Sequence, residues 1–262
     1  MRILIISFIA VVLFIIVQNG LAFLFVDIFE IHIQNDFLLV LRFSELSSII
    51  IVLLISIFSY RKNNKYFEFI REDNTLVDLL IIIILIVLVY FVVESFSIFL
   101  WSNEFNKAKI LPKEDVSFFI KLLIFLNVVL LSPFLEELLF RGIILPNVFH
   151  RYGRLKSVLF TSILYMLAHV DIIGINYYYL LSVFIMGILY SFLLLKYGLF
   201  YGVLAHVTYN FIWFLSKYFN APLSLDRWLD YNYIYVGVVV IVSSIVVLFS
   251  IKVFKKNNLQ LV

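Results

Sequence analysis

Residues 76–101 have the sequence LVDLLIIIILIVLVYFVVESFSIFLW, in which Asp78 and Glu94 are the only charged residues. At about 1.5 Å per helical residue, some 20 apolar residues cross the roughly 30 Å hydrocarbon core of a bilayer. This run exceeds that requirement, so it predicts a transmembrane helix.

Similar stretches recur along the whole chain. The hydrophobic fraction is 64% and the charged fraction 14%, whereas soluble domains have about 45–50% and about 25%. Lipid is therefore the expected solvent. We predict an all-α polytopic membrane helical bundle of about eight transmembrane helices, forming a single transmembrane domain over residues 1–262. The apolar stretches are about 3–26, 37–60, 76–101, 116–140, 157–170, 177–197, 199–219 and 234–254.

The distribution of basic residues predicts the orientation of this bundle. If the N-terminus is cytoplasmic, twelve Lys and Arg residues lie in cytoplasmic segments and five in external ones. This excess follows the positive-inside rule and places both termini in the cytoplasm. The abundance of Ile, Phe, Asn and Lys suggests an AT-rich genome, so we expect a bacterial cell membrane.

Composition also excludes some kinds of site. The chain has no cysteine, which rules out disulfides, thiolate metal sites and a cysteine nucleophile. The net charge of +3 is too small to suggest a nucleic-acid partner. The expected partners are membrane lipid and a membrane-anchored peptide or protein.

Charged residues cluster at the end of the fourth stretch, where residues 132–142 read SPFLEELLFRG. An ionisable side chain in mid-membrane costs about 2.5–3.5 kcal/mol on insertion scales, so it needs a partner or a function. Glu137 and Arg141 are four residues apart and are predicted to form a charge-assisted pair. Glu136 points about 100° away and is not neutralised by that geometry.

Two of the four histidines also fall within apolar stretches. His169 ends the fifth stretch. His206 lies on the seventh, where the i, i+4 spacing places Asn210 on the same face. Gly198 and Gly202, just before His206, are predicted to let neighbouring backbones approach closely.

These polar residues have a common predicted depth. Counted at about 1.5 Å per residue, they lie between the cytoplasmic interface and just past the midplane of a roughly 30 Å core. They are therefore predicted to form one site, within a catalytic core at about residues 116–219. Its members are Glu136, His169, His206 and Asn210.

A carboxylate, two imidazoles and an amide could hydrolyse a peptide bond in two ways. In the first, Glu136 takes a proton from water with help from His169, while His206 and Asn210 donate hydrogen bonds to the oxyanion. In the second, Glu136, His169 and His206 hold a zinc ion with one position open for water. The His-Glu-x-x-His motif usual for such zinc sites is absent. Both mechanisms remain open. The metal-free mechanism is slightly preferred, because Glu136, His169 and His206 come from three different helices.

Three short motifs follow one another along the chain: Glu136-Glu137-x-x-x-Arg141, Tyr165-x-x-x-His169 and His206-x-x-x-Asn210. Together, in this order, they resemble the CPBP family of type II CAAX prenyl endopeptidases and bacteriocin-processing or immunity (Abi) proteins. The resemblance covers roughly residues 132–214. It implies an eight-helix membrane fold and a peptidase in which Glu136 activates water, His169 assists, and His206 and Asn210 bind the oxyanion.

The same resemblance implies a structural or supporting role for Glu137 and Arg141. Tyr165 stands where the family usually has Phe, which is a conservative exchange for packing. The predicted function is an intramembrane endopeptidase that cleaves a membrane-associated substrate near the cytoplasmic face. The alternatives are a non-catalytic immunity or scaffold protein of the same fold, and an ion-coupled transporter.

Overall fold

All elements in the described part of the chain are helical, and no strand occurs there, which confirms the predicted all-α class. The computed structural model describes residues 2–28, 49, 50, 54, 75–108, 118–170 and 177–218. In chain order the elements are α1 (Arg2–Ile28), α2 (Leu76–Ala108), α3 (Phe118–Ile124), the π-helical segment π1 (Phe125–Leu131), α4 (Ser132–Glu137), the π-helical segment π2 (Leu138–Ile144), α5 (Leu145–Tyr152), α6 (Arg154–Ala168), α7 (Tyr177–Tyr197) and α8 (Leu199–Tyr218).

The chain divides into two compact units. The first combines Met1–Asn74 with Lys113–Val207, and the second combines Thr75–Pro112 with Thr208–Val262. The first therefore holds α1, the helices from α3 to α7 and the start of α8. The prediction of a single transmembrane domain stays a prediction.

One continuous helix runs from α3 through α5, and it is longer than the predicted stretch at 116–140. Each of its two π-helical segments ends just before a proline, Pro133 or Pro146. At the end of π1, for example, the Ser132 N–H bonds to the Asn127 carbonyl five residues back. Proline lacks an N–H, and its ring crowds the carbonyl four residues back in an α-helix. A widened turn before each proline accounts for the helix continuing without a break.

Glycines end two of the helices in the first unit. Gly153, between α5 and α6, has φ 77°, and Gly198, between α7 and α8, has φ 97°. Residues with a side chain rarely adopt such angles, so glycine is required by the backbone at both positions. Each glycine N–H also caps the preceding helix, bonding Phe149 O at 3.0 Å and Leu194 O at 2.9 Å respectively. The backbone conformation at residue 198 thus requires a glycine, whereas the close approach of backbones predicted at this position stays a prediction.

Helix α6 is central to the first unit, where it packs against α1, α5, α7 and π2. The residues of this core come from separate parts of the sequence, among them Phe14 on α1, Leu139 on π2, Leu164 on α6 and Val183 on α7. Many large apolar side chains point outwards instead, including Leu155 and Ile163 on α6 itself. Such an exterior suits a lipid environment.

Helix α2 belongs to the second unit and begins with a reciprocal cap. The Asp78 N–H bonds Thr75 Oγ1 at 3.2 Å, and the Thr75 N–H bonds Asp78 Oδ2 at 3.0 Å. Both otherwise unpaired donors are thereby satisfied. Within the same unit, Tyr90 packs edge-on against Tyr209 with ring centroids 5.2 Å apart.

Four helices among the described residues are long and apolar enough to cross a membrane. These spans support an integral membrane protein. The stretches predicted at 37–60 and 234–254 lie outside the described residues, except for residues 49, 50 and 54. The count of about eight spans therefore stays a prediction. The four spans are Leu76–Val93, Lys121–Tyr152, Tyr179–Tyr197 and Leu199–Ser216.

Candidate active site

A fully buried ion pair joins Glu137 and Arg141 in the first unit. Arg141 Nη1 lies 3.1 Å from Glu137 Oε1, and both side chains are 0% exposed. Arg141 Nη2 donates to the Gly187 carbonyl at 3.0 Å, and the guanidinium lies 4.2 Å from the ring centroid of Tyr165. The pair predicted from the i, i+4 spacing is thus present, and it connects π2 to α6 and α7.

Glu136, the residue before this pair, faces the two histidines. Its Oε2 lies 3.7 Å from His169 Nε2 and 3.9 Å from His206 Nε2. These separations exceed a hydrogen bond but are within the range of an ion pair. The three residues come from α4, from the end of α6 and from α8, and the Glu136 side chain is only 6% exposed.

Both ring nitrogens of His206 have polar contacts. Nδ1 lies 3.1 Å from Glu137 Oε1, and Nε2 lies 3.3 Å from the Tyr165 hydroxyl. The ring also stacks on Tyr190, with centroids 4.7 Å apart and planes inclined by 20°. A carboxylate only accepts hydrogen bonds, so Nδ1 is the protonated nitrogen of the neutral ring and Nε2 carries the lone pair.

His169 lies just beyond the last residue of α6 and acts as its C-cap. Its backbone has φ −100° and ψ 10°, and its Nδ1 donates to the Tyr165 carbonyl at 2.9 Å. This bond satisfies a carbonyl that the end of the helix leaves without an intrahelical partner. Because Nδ1 carries the proton, Nε2 of the neutral ring is an acceptor directed towards Glu136. The side chain is 17% exposed, more than either Glu136 or His206.

Asn210 follows His206 by one helical turn on α8 and is half-buried. It belongs to the second compact unit, whereas Glu136, His169 and His206 belong to the first. Its predicted role beside the other three therefore stays a prediction.

A close approach of two helices near the site involves Gly187, a glycine that the sequence did not single out. A Cβ on Gly187 would lie 3.2 Å from atoms of Ser162 and Tyr165, so α6 and α7 are in tight contact there. A Cβ on Gly202 would lie 3.5 Å from Glu137 Oε2, an ordinary contact distance. The sequence around Gly187 does not mark it as a contact between helices, because its neighbour α6 is known only from the fold.

A metal site requires several ligating side chains that point to one centre. No group of three or more His, Asp or Glu side chains in the described part of the chain is arranged to hold a metal ion. At Glu136, His169 and His206, the two ring nitrogens facing the carboxylate are 3.7 and 3.9 Å from one of its oxygens, and Tyr165 donates to one of them. The zinc set predicted at Glu136, His169 and His206 stays a prediction.

Comparison with known proteins locates this site within a protease-like segment. Residues 118–212 match the family model described as type II CAAX prenyl endopeptidase Rce1-like. No curated protein and no solved structure matches the chain. The match contains Glu136, His169, His206 and Asn210. This match confirms the predicted resemblance to the CPBP family over residues 118–212.

Proposed function

We propose that this chain is an intramembrane endopeptidase that cleaves a membrane-associated peptide or protein near the cytoplasmic face, with Glu136 activating the attacking water. The observation that carries the proposal is the position of both histidine Nε2 atoms at 3.7 and 3.9 Å from Glu136 Oε2. These residues lie in a segment that matches a protease family. That match favours a peptidase over the scaffold and transporter alternatives.

The reaction begins at Glu136 and His169. A water molecule gives one proton to the Glu136 carboxylate, and its oxygen forms a bond to the carbonyl carbon of the substrate. His169 accepts a second hydrogen bond from this water through Nε2 and so orients it. Glu136 then delivers the proton to the amide nitrogen as the carbon–nitrogen bond breaks, which regenerates the carboxylate.

The charge balance of the buried cluster supports Glu136 as the base. Arg141 is paired with Glu137 at 3.1 Å, so one cation faces two carboxylates when both imidazoles are neutral. Burying an additional negative charge in a low-dielectric environment is costly. Transfer of a proton from water to Glu136 moves this charge from the carboxylate to the carbonyl oxygen of the substrate, where hydrogen-bond donors can stabilise it.

Stabilisation of the oxyanion is assigned to His206 and Asn210. The neutral His206 ring has its proton on Nδ1, facing Glu137, so Nε2 donates only when the ring takes up a second proton. Asn210 supplies a neutral N–H donor, one turn farther along α8.

The proposed substrate has one end anchored in the membrane and its scissile bond close to the cytoplasmic face. Prenylated proteins fit this description, as do leader peptides and precursors of signalling peptides. The matched family is described by cleavage at prenylated CAAX ends, so a farnesylated CAAX peptide is a suitable first probe. The inferred bacterial origin favours peptide precursors.

Peptidomics of membranes that contain either the wild-type chain or Glu136→Gln tests the function. We expect specific peptides to appear only with the wild type, and His169→Ala and His206→Ala to behave like Glu136→Gln, because all three act on one water and one carbonyl. The matched control is His150→Ala, since His150 is exposed on α5. Equal peptide profiles for wild type and Glu136→Gln at equal abundance would contradict the proposal.

A further inference from the structure

Tyr165 contacts both histidines of the candidate site, and it does so through two different groups. Its backbone carbonyl accepts from His169 Nδ1 at 2.9 Å. Its hydroxyl lies 3.3 Å from His206 Nε2. The hydroxyl is the part of the side chain that a phenylalanine lacks, so its contact with His206 is separable from the packing of the ring.

The direction of the hydroxyl bond follows from the other side of the imidazole. His206 Nδ1 donates to Glu137 Oε1 at 3.1 Å, and Glu137 is held in place by Arg141. The neutral ring therefore has no proton on Nε2, and Tyr165 is the donor in this contact. When His206 takes up a second proton, Nε2 becomes a donor. Until an oxyanion forms and takes over this bond, the same hydroxyl can accept it, because a phenol oxygen both donates and accepts.

We infer that Tyr165 is a positioning residue of the proposed peptidase. Its hydroxyl holds His206 Nε2 in place in both protonation states of the imidazole ring. The inference rests on the proposed function and extends it. His206 must point Nε2 towards the substrate while its proton count changes, and Tyr165 gives the ring a partner before and after that change. The replacement of the family's usual Phe by Tyr165 is conservative for packing, but it also adds a hydrogen-bonding hydroxyl.

The surroundings of the Tyr165 ring keep the hydroxyl at this position. The ring lies edge-on to Phe140 with centroids 5.2 Å apart, and the Arg141 guanidinium lies 4.2 Å from its centroid. The side chain is 3% exposed. Tyr165→Phe preserves all of these ring contacts, so this variant removes the contact with His206 and leaves the packing unchanged.

Nitrogen NMR of the histidine side chains tests the inference without any substrate. The chain has four histidines, and the His206 signals can be assigned by their absence from His206→Gln or, if that chain does not fold, by removing the other three histidines in turn. In the wild type we expect Nδ1 of His206 to be protonated and Nε2 to accept a hydrogen bond. In Tyr165→Phe we expect the Nε2 signal to move towards the position of an unbonded acceptor. A protonated Nε2 in neutral wild-type His206, or an unchanged Nε2 signal in Tyr165→Phe, would overturn the inference.

Kinetics of the purified chain on a farnesylated CAAX peptide provide the second test. Tyr165→Phe should lower kcat about tenfold with KM unchanged, because the loss of one hydrogen bond leaves His206 held by Glu137 and Tyr190. Tyr197→Phe is the control, since it removes a hydroxyl from another buried tyrosine, whose ring packs against Tyr201.

The outcomes separate the two proposals. A wild-type chain that cleaves neither this peptide nor any membrane peptide contradicts the peptidase function, while the NMR result still decides the role of Tyr165. An active wild type with equally active Tyr165→Phe contradicts the positioning role alone. A loss in Tyr165→Phe matched by an equal loss in Tyr197→Phe assigns the effect to packing and also contradicts it.

Discussion

Replacing Arg141 with alanine should strongly lower the free energy of unfolding. Arg141 and Glu137 are both 0% exposed and lie 3.1 Å apart, so the change leaves a buried carboxylate without its cation. Removing one partner of a buried ion pair costs about 3–5 kcal/mol. Since a typical domain is stable by about 5–15 kcal/mol, such a loss should reduce the folded yield visibly.

The structure indicates which end of that range applies. Gly187 O, which accepts from Arg141, also accepts from Ser191 Oγ at 2.8 Å, so it keeps a partner in the variant. Glu137 Oε1 likewise keeps His206 Nδ1 at 3.1 Å. The cost therefore comes mainly from the unpaired Glu137 charge and from the lost contact of the guanidinium with Tyr165. We expect the loss in free energy of unfolding to be about 3 kcal/mol, the lower end of the range.

Fluorescence-detected size-exclusion chromatography after stepwise heating would measure the loss. Arg151→Ala is the control, because Arg151 is exposed on α5. The double variant Glu137→Gln with Arg141→Ala should recover part of the stability, since it removes the buried charge. An Arg141→Ala chain as stable as Arg151→Ala would refute the reasoning. A double variant no better than the single would show that lost volume, and not charge, is the cause.

Four other outcomes test the proposed site, the helix packing and the predicted topology. Glu136→Gln should abolish peptide processing at a folded yield near the wild type, because the amide keeps the volume and removes a buried charge; aggregation of this variant would contradict that. Asn210→Ala should be milder, with turnover lower by about 10²–10³ in quantitative mass spectrometry of products; a wild-type turnover would exclude it from the oxyanion site. Gly187→Ala should lower the melting temperature, because its Cβ would lie 3.2 Å from atoms of α6, whereas Gly202→Ala, with 3.5 Å to its nearest neighbour, should be neutral or slightly stabilising. Equal melting of the two glycine variants would count against close packing at Gly187. A cysteine introduced beside Arg154 should react with an impermeant reagent only in opened cells, since the chain has no other cysteine; labelling in intact cells would reverse the orientation.

The membrane fold and the composition of the candidate site could be predicted from local signals in the sequence. Long apolar runs specify helices in lipid, because a spanning segment must satisfy its backbone hydrogen bonds internally. The rarity of ionisable residues in such runs made Glu136, His169 and His206 conspicuous. The spacing of Glu137 and Arg141 was enough to predict their pairing, since neighbours on a helix face are determined by local geometry.

The connections among these residues could be decided only by the tertiary structure. Glu137 bonds His206 from another helix, and Tyr165 links the two histidines through its carbonyl and its hydroxyl. The sequence contains 16 tyrosines, and nothing local separates Tyr165 as a hydrogen-bond donor from one that only packs. Periodicity reports which face of a helix a residue occupies, but the partner on the opposite helix depends on how the helices are arranged in space. For that reason the tautomers of both histidines, and the role inferred for Tyr165, follow from the fold and not from the order of the residues.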